Sequence, residues 1–225
     1  MEPVRFSTHD GVSLEGEMRM PEGEPVGSAV ICHAHPRHGG SKDHPILWAI
    51  RNELAQRGFA VLSFNFRGTM RSSGNHGGGR TEIHDVEAAI GFIRTRARGA
   101  TIVCGWSFGA TVALREALTD ERASALALLG LPLAPADVEV PPLPAPDELR
   151  ALRRPVLLLA GEADVHCPAP ALEVLGGALP SAEVVVLAGT DHFLWRRERE
   201  AAAIVGAFAT RILDPTGRGP KEAPP

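Results

Sequence analysis

Five residues, Gly105-Trp106-Ser107-Phe108-Gly109, constrain this chain more than any other stretch. They follow the apolar run Thr101-Ile102-Val103-Cys104 and open the apolar-periodic stretch Ala110 to Leu118, where a buried strand would turn abruptly into a helix. In such a strand–GxSxG–helix turn the serine is held in a strained conformation. Glycines two positions to either side keep Cβ atoms out of a close helix–strand contact. Ser107 would then project its hydroxyl above the sheet. The backbone N–H of Phe108, in the first turn of the helix, would point at any oxyanion forming on an attacked carbonyl. The bland alternative is a serine capping a helix between two incidental glycines; the strand before it and the helix after it argue against that.

Before and after this turn the pattern alternates between strands and helices. Val4 to Ser7 and Val12 to Met20 alternate apolar and polar residues around His9-Asp10-Gly11, which predicts an antiparallel hairpin at a sheet edge. The continuous apolar run Ser28–Cys32 predicts a strand buried on both faces and Ala125–Leu129 a further buried strand, while Phe59–Phe64, Pro155–Ala160 and Ala182–Leu187 read as the remaining strands. Helical periodicity covers Ile46–Arg57, with Gly58 as its stop, then Glu82–Arg96, Ala169–Leu179 and Arg196–Ile212. The result is a mainly parallel sheet with helices on both faces, in which sites form at the carboxyl ends of strands. Thr69–Arg80 reads as a glycine- and serine-rich surface loop. Leu131–Asp147, with six prolines, reads as an extended excursion ending in a turn of helix near Asp147–Leu152.

A length of 225 residues suits one α/β domain, taken as residues 1–213, with Asp214–Pro225 as a disordered tail. Net charge is −4, and lysine occurs only at Lys42 and Lys221, so no basic stripe points to nucleic acid. No apolar run suits a membrane span, and the first residues lack the basic-then-apolar order of a secretory signal, so a cytoplasmic protein is expected. Cys32, Cys104 and Cys167 are widely spaced, which argues against disulfides and zinc.

A serine hydroxyl needs a base, and the base needs an orienting acid. Two further strand ends supply them: Gly161-Glu162-Ala163-Asp164 and Gly189-Thr190-Asp191-His192-Phe193. The chain order Ser107, Asp164, His192 is the Ser…Asp…His order of the strand–GxSxG–helix architecture. His192 is assigned as general base and acid, and Asp164 as the carboxylate that fixes its tautomer. Glu162 is the rival acid, and Asp191 is expected to shape its loop as an Asx turn. The second oxyanion donor is expected from the backbone N–H of His35, in the loop after the Ser28–Cys32 strand, because Pro36 has no N–H. His33, His35 and His38 imitate the start of a zinc site, but residue 37 is Arg and no later cluster completes the shell; neither metal nor cofactor is expected. His33 and His38 are read instead as holding their loop through carbonyl hydrogen bonds. Arg67 is read as a loop anchor with Asp85 as partner, Trp106, Phe193 and Trp195 as pocket candidates with Leu194 beside them, and Trp48 as core.

With these residues in place the chain resembles the α/β-hydrolase superfamily, and within it the small bacterial esterases similar to dienelactone hydrolase. The segments that carry the resemblance are His33-Ala34-His35-Pro36, Gly39-Gly40, Asn65-Phe66-Arg67-Gly68, Gly105–Gly109, Gly161–Asp164 and Asp191-His192-Phe193. The resemblance implies an α/β-hydrolase fold of about eight strands with an antiparallel N-terminal edge and no large cap domain. It also implies a Ser-Asp-His acyl hydrolase acting on small esters. Dienelactone hydrolase proper uses cysteine where this chain has Ser107, so that activity is not implied. The Thr69–Gly74 loop and Asp43-His44-Pro45 depart from the family pattern near the expected site mouth. The expected partner is thus a small or medium acyl ester. A thioesterase, a peptidase or an idle fold used for binding are the alternatives.

Overall fold

The computed structural model describes residues 1–134 and 139–213. Part of the proline-rich excursion, residues 135–138, and the expected tail, residues 214–225, lie outside the described residues. Eight strands form one sheet: β1 (Glu2–Ser7), β2 (Ser13–Arg19), β3 (Gly27–Cys32), β4 (Phe59–Phe64), β5 (Thr101–Trp106), β6 (Ala125–Leu129), β7 (Val156–Gly161) and β8 (Ala182–Leu187). Their spatial order is β1-β2-β4-β3-β5-β6-β7-β8. β1 and β2 pair antiparallel, β2 runs antiparallel to β4, and all later pairs are parallel.

Side-chain alternation splits the core into two layers. In β3, Val30 and Cys32 join Val86 of α2 (Ile83–Arg94), Val112 of α3 (Phe108–Glu116), Leu149 of α4 (Pro146–Ala151) and Leu172 of α5 (Ala169–Ala178). Ala29 and Ile31 face the other way, toward Ile50 of α1 (Pro45–Gln56) and Val205 of α6 (Glu198–Leu213). Because successive side chains on a strand point to opposite faces, each fully apolar strand feeds both layers. Local signals set the helix ends. Pro45 opens α1, where its missing N–H costs nothing, and Gly58 follows it at φ +89°. None of the described helices is long and apolar enough to cross a membrane.

Trp48 corrects one expectation, being 55% exposed rather than in the core. Ile46, Leu47, Ile50 and Leu54 form the buried stripe of α1. At 100° per residue, position 48 falls on the opposite side of the helix. Arg67 lies where its loop needs it. Its backbone N–H and its Nε each donate to Asp85 at 2.8 Å, and its Nη1 and Nη2 donate to Asp10 at 2.8 and 3.2 Å. The guanidinium is buried, and its pairing ties the β1–β2 turn to the first turn of α2.

One buried group is kept neutral. Glu116, near the end of α3, is 1% exposed, and burial, reinforced by the Asp120 carboxylate, pushes its pKa up to about 9. Between the usual carboxylate value of 4.5 and about 9, the folded chain retains a proton that the unfolded chain releases. Stability therefore falls as pH rises through that window, at no more than about 1.4 kcal/mol per pH unit from this one group. Replacing Glu116 with Gln is expected to flatten this slope and to raise the urea midpoint at pH 8 above that of the parent. Parallel slopes for the two proteins would show that Glu116 ionises normally.

Candidate active site

The site begins with the backbone of Ser107, which sits at φ 55° and ψ −120° between β5 and α3. A non-glycine residue there carries strain of order 1–3 kcal/mol and persists only where its surroundings hold it. Three close approaches do so. A Cβ on Gly105 would come 2.4 Å from the Gly109 carbonyl oxygen, and one on Gly109 would come 2.4 Å from that of Cys32. The Ser107 N–H donates to the Leu129 carbonyl at 2.8 Å, fastening the turn to the end of β6. Phe108 is the first residue of α3, so its N–H has no acceptor within the helix.

The ends of β7 and β8 deliver the other two groups. Ser107 Oγ lies 3.0 Å from His192 Nε2, and His192 Nδ1 lies 2.8 Å from Asp164 Oδ2. A carboxylate can only accept, so Nδ1 carries the proton; Nε2 is then free to accept from the serine hydroxyl. Asp164 is 3% exposed, and its second oxygen accepts the N–H groups of His166 and Cys167, both at 2.9 Å. The rival acid is used elsewhere, since Glu162 Oε2 accepts the Gly189 N–H at 3.0 Å. Asp191 Oδ1 accepts the Phe193 N–H at 3.0 Å, which is the Asx turn read from the sequence. Gly130, at φ 53°, forms a floor under the pair: a Cβ there would come within 3.1–3.2 Å of His192 and Asp164.

The loop after β3 is fixed by His33. The Phe66 N–H donates to its Nε2 at 3.0 Å, so Nδ1 carries the proton and donates to the Ala34 carbonyl at 2.6 Å. Full burial lowers its pKa to about 4, so the ring stays neutral. Both nitrogens are engaged, which leaves none for a metal ion. His35 follows as a cap on a short 3₁₀ turn, Pro36–His38, with Nδ1 accepting the Arg37 N–H at 3.2 Å. Its pKa is also lowered to about 4, chiefly by burial and then by neighbouring His76 and His38. Among the described residues no carbonyl accepts from the His38 ring; His38 lines the cavity with its ring 5.0 Å from that of His35.

A cavity of about 410 Å³ opens over Ser107 and His192. Of the three pocket candidates, Trp106 and Phe193 line it and Trp195 does not. Trp195 is 52% exposed and stacks on the outer side of the aromatic group, 6.1 Å from the Phe193 ring. Leu194 is buried in the layer beneath. Trp106 has a second contact that sequence reasoning missed: its indole Nε1–H donates to the His192 carbonyl at 3.1 Å. Also missed as wall residues were His44, with its ring 4.2 Å from that of Trp106, and His166, with its ring 4.8 Å from that of His192. The only signal for His44 was its position in an unusual loop; for His166 there was none. Pro132 and Val140 bring the proline-rich excursion into the wall, whereas no residue of Thr69–Arg80 lines the cavity.

A family model for an alpha/beta hydrolase domain matches residues 27–210, the span that holds every residue just described. Among curated proteins, the uncharacterized protein RP471 of Rickettsia prowazekii is 27% identical over 117 residues, which cover 51% of this chain and 49% of that one. The uncharacterized protein YfhR of Escherichia coli K12 is 31% identical over 97 residues, covering 42% of this chain and 33% of that one. The chain thus spans half or less of the length of these relatives. Solved structures align over far more of it. An alpha-beta serine hydrolase homologue from Coxiella burnetii superposes with a TM-score of 0.78 at 24% identity, over 92% of this chain and 96% of its own. The lidless serine hydrolase XC6422 of Xanthomonas campestris gives 0.78 at 24%, over 93% of both chains. The esterase Pf2001 of Pyrococcus furiosus gives 0.79 at 18%, over 93% and 92%. At such identities the superpositions establish the α/β-hydrolase fold. Together with the matched model, which spans most of the sequence, they show that this chain belongs to the alpha/beta hydrolase family.

Proposed function

We propose that the protein is a serine esterase that cleaves small or medium acyl esters through an acyl-enzyme intermediate. The observation that carries this reading is the continuous hydrogen-bonded chain Ser107–His192–Asp164 beneath an open cavity. Ser107 Oγ attacks the ester carbonyl while its proton passes to His192 Nε2, and the tetrahedral oxyanion is held by the backbone N–H groups of Phe108 and His35. His192 returns the proton to the departing alkoxide, leaving Ser107 acylated. A water molecule then gives up a proton to His192 and attacks the acyl group, and Ser107 Oγ recovers that proton as the acid leaves. Protein groups and water account for every proton and electron pair in this cycle. Asp164, buried and held by two amides, keeps the imidazole in the tautomer that both half-reactions need.

The cavity supports a substrate of modest size. Its volume lies near the lower end of the usual ~300–1,000 Å³ for small-molecule sites. Neutral aromatic surfaces from Trp106, His44 and Phe193 wall it, and burial lowers the His44 pKa. The described structure shows α4 as a single short helix after the proline-rich excursion, which fits a site without a large helical lid. The esterase and serine hydrolases that share the fold favour the same chemistry.

A fluorophosphonate probe and p-nitrophenyl acetate test the reading. The parent protein is expected to be labelled at Ser107 and to hydrolyse the ester, with turnover lost in Ser107→Ala. Absence of labelling, or equal turnover in Ser107→Ala, would mean that the fold is used for something other than nucleophilic catalysis. The acid assignment has its own check. Asp164→Asn is expected to lower kcat by about 10⁴, the loss known when a triad acid becomes an amide, while Glu162→Gln changes kcat by less than tenfold. Comparable losses in the two variants would transfer the role away from Asp164.

A further inference from the structure

Away from the cavity, the β1–β2 turn and the first turns of α2 place two imidazoles and a carboxylate together. His9 Nε2 lies 3.0 Å from His84 Nδ1, and Glu87 Oε2 lies 3.7 Å from the first and 3.8 Å from the second. Only the two nitrogens are close enough to hydrogen-bond; the carboxylate oxygen stands off from both. A triangle with those three sides has a circumscribed radius of about 2.05 Å, so one point is equally distant from all three atoms at the length of a zinc bond to imidazole or carboxylate, ~2.0–2.2 Å. We propose that His9, His84 and Glu87 form a binding site for one Zn²⁺ ion, which at ~2.2 Å from each donor stands about 0.8 Å out of their plane and so leaves a fourth, tetrahedral position open to water.

Three features of the surroundings support this site. The two elements that carry the donors are already locked together, because Arg67 bridges Asp10 and Asp85, the residues that follow His9 and His84 in the chain. That buried bridge sets the backbone spacing of the two elements, and the His9–His84 contact at 3.0 Å sets that of the rings, before any ion arrives, which reduces the ordering entropy lost on binding. The donor side chains are 56%, 36% and 44% exposed, and a cavity of about 410 Å³ beside them gives an ion and its water a way in. The nearby cation is accounted for: Arg122 Nε donates to both Asp120 oxygens at 3.0 and 2.8 Å, and Arg122 Nη2 stands 3.9 Å from Glu87 Oε1, the oxygen not facing the histidines. Glu87 would thus bind the ion through Oε2 and be oriented through Oε1. No metal was expected from the sequence, because its cysteines are widely spaced and no cluster completes the closely spaced histidines. His9 and His84 are 75 positions apart, and no spacing rule connects them.

The test uses the full chain without affinity-tag histidines, stripped with chelator and titrated with ZnSO₄ by calorimetry, and Co²⁺ absorption as a second reading of geometry. One equivalent of zinc is expected with a micromolar Kd, together with the visible absorption of tetrahedral Co²⁺. His84→Gln and Glu87→Gln should each weaken binding at least tenfold, and His9→Gln/His84→Gln should abolish it. Saturating zinc should also raise the thermal midpoint of the parent by several degrees and leave that of the double variant unchanged, since the ion binds only the folded arrangement. These side chains are at the surface, so circular dichroism should report the same fold for all variants. No binding by the parent at 100-fold excess zinc over protein, or parental affinity in the double variant, would overturn the proposal; in the second case the ion binds elsewhere on the chain.

Discussion

The contact between α3 and the strands beneath it sets the terms for the rest of this molecule. Gly105 and Gly109 let backbone meet backbone at distances no Cβ allows, and that approach forces Ser107 into a positive φ. Once the turn is pressed this tightly, the serine hydroxyl has one place to go, above the carboxyl ends of β5 and β6. The Leu129 carbonyl holds the turn from below, and Gly130 leaves room for His192 and Asp164 to close over it. Strain of this kind survives because a sheet buried on both faces does not relax around a single residue.

Buried polar groups position the loops that the strands only deliver. His33 joins the loop after β3 to the end of β4, Arg67 joins the β1–β2 turn to α2, and Asp164 gathers two amides of its own loop. Each is nearly inaccessible to water, so each bond is costly to break and the loop it holds is correspondingly rigid. Trp106 adds a cross-brace from the turn beside Ser107 to the backbone of His192. The wall of the cavity and the alignment of the histidine therefore depend on the same indole.

Much of this was legible in the chain. The strands at Phe59–Phe64 and Ala125–Leu129 stand where their apolar runs begin and end, because a strand buried on both faces has no exposed positions to blur its limits. The partners Arg67 and Asp85 and the turn at Asp191 were also readable, since charged residues and Asx turns in short loops have few ways to satisfy themselves. The misreadings share a cause. Trp48 was taken as core for its size, although its angle around α1 carries it to solvent. Trp195 was taken with Phe193 as pocket wall, although alternation and the positive φ at Leu194 and Arg196 turn it outward. Thr69–Gly74 was expected near the mouth of the site and does not line it, whereas Asp43-His44-Pro45, expected there as well, supplies His44.

The sequence by itself determined the alternation of elements, the strained turn at Ser107 and the strand ends from which an acid and a base could come, because periodicity, glycine placement and turn chemistry act over a few residues. The tertiary structure decided which distant groups meet. Ser107 reaches His192 across 85 positions and His9 reaches His84 across 75, and both meetings follow from the strand order β1-β2-β4-β3-β5-β6-β7-β8. A local pattern carries no distance between elements. Only the packing of two apolar layers against one sheet supplies it, to the few tenths of an ångström that separate a hydrogen bond from a gap wide enough for an ion.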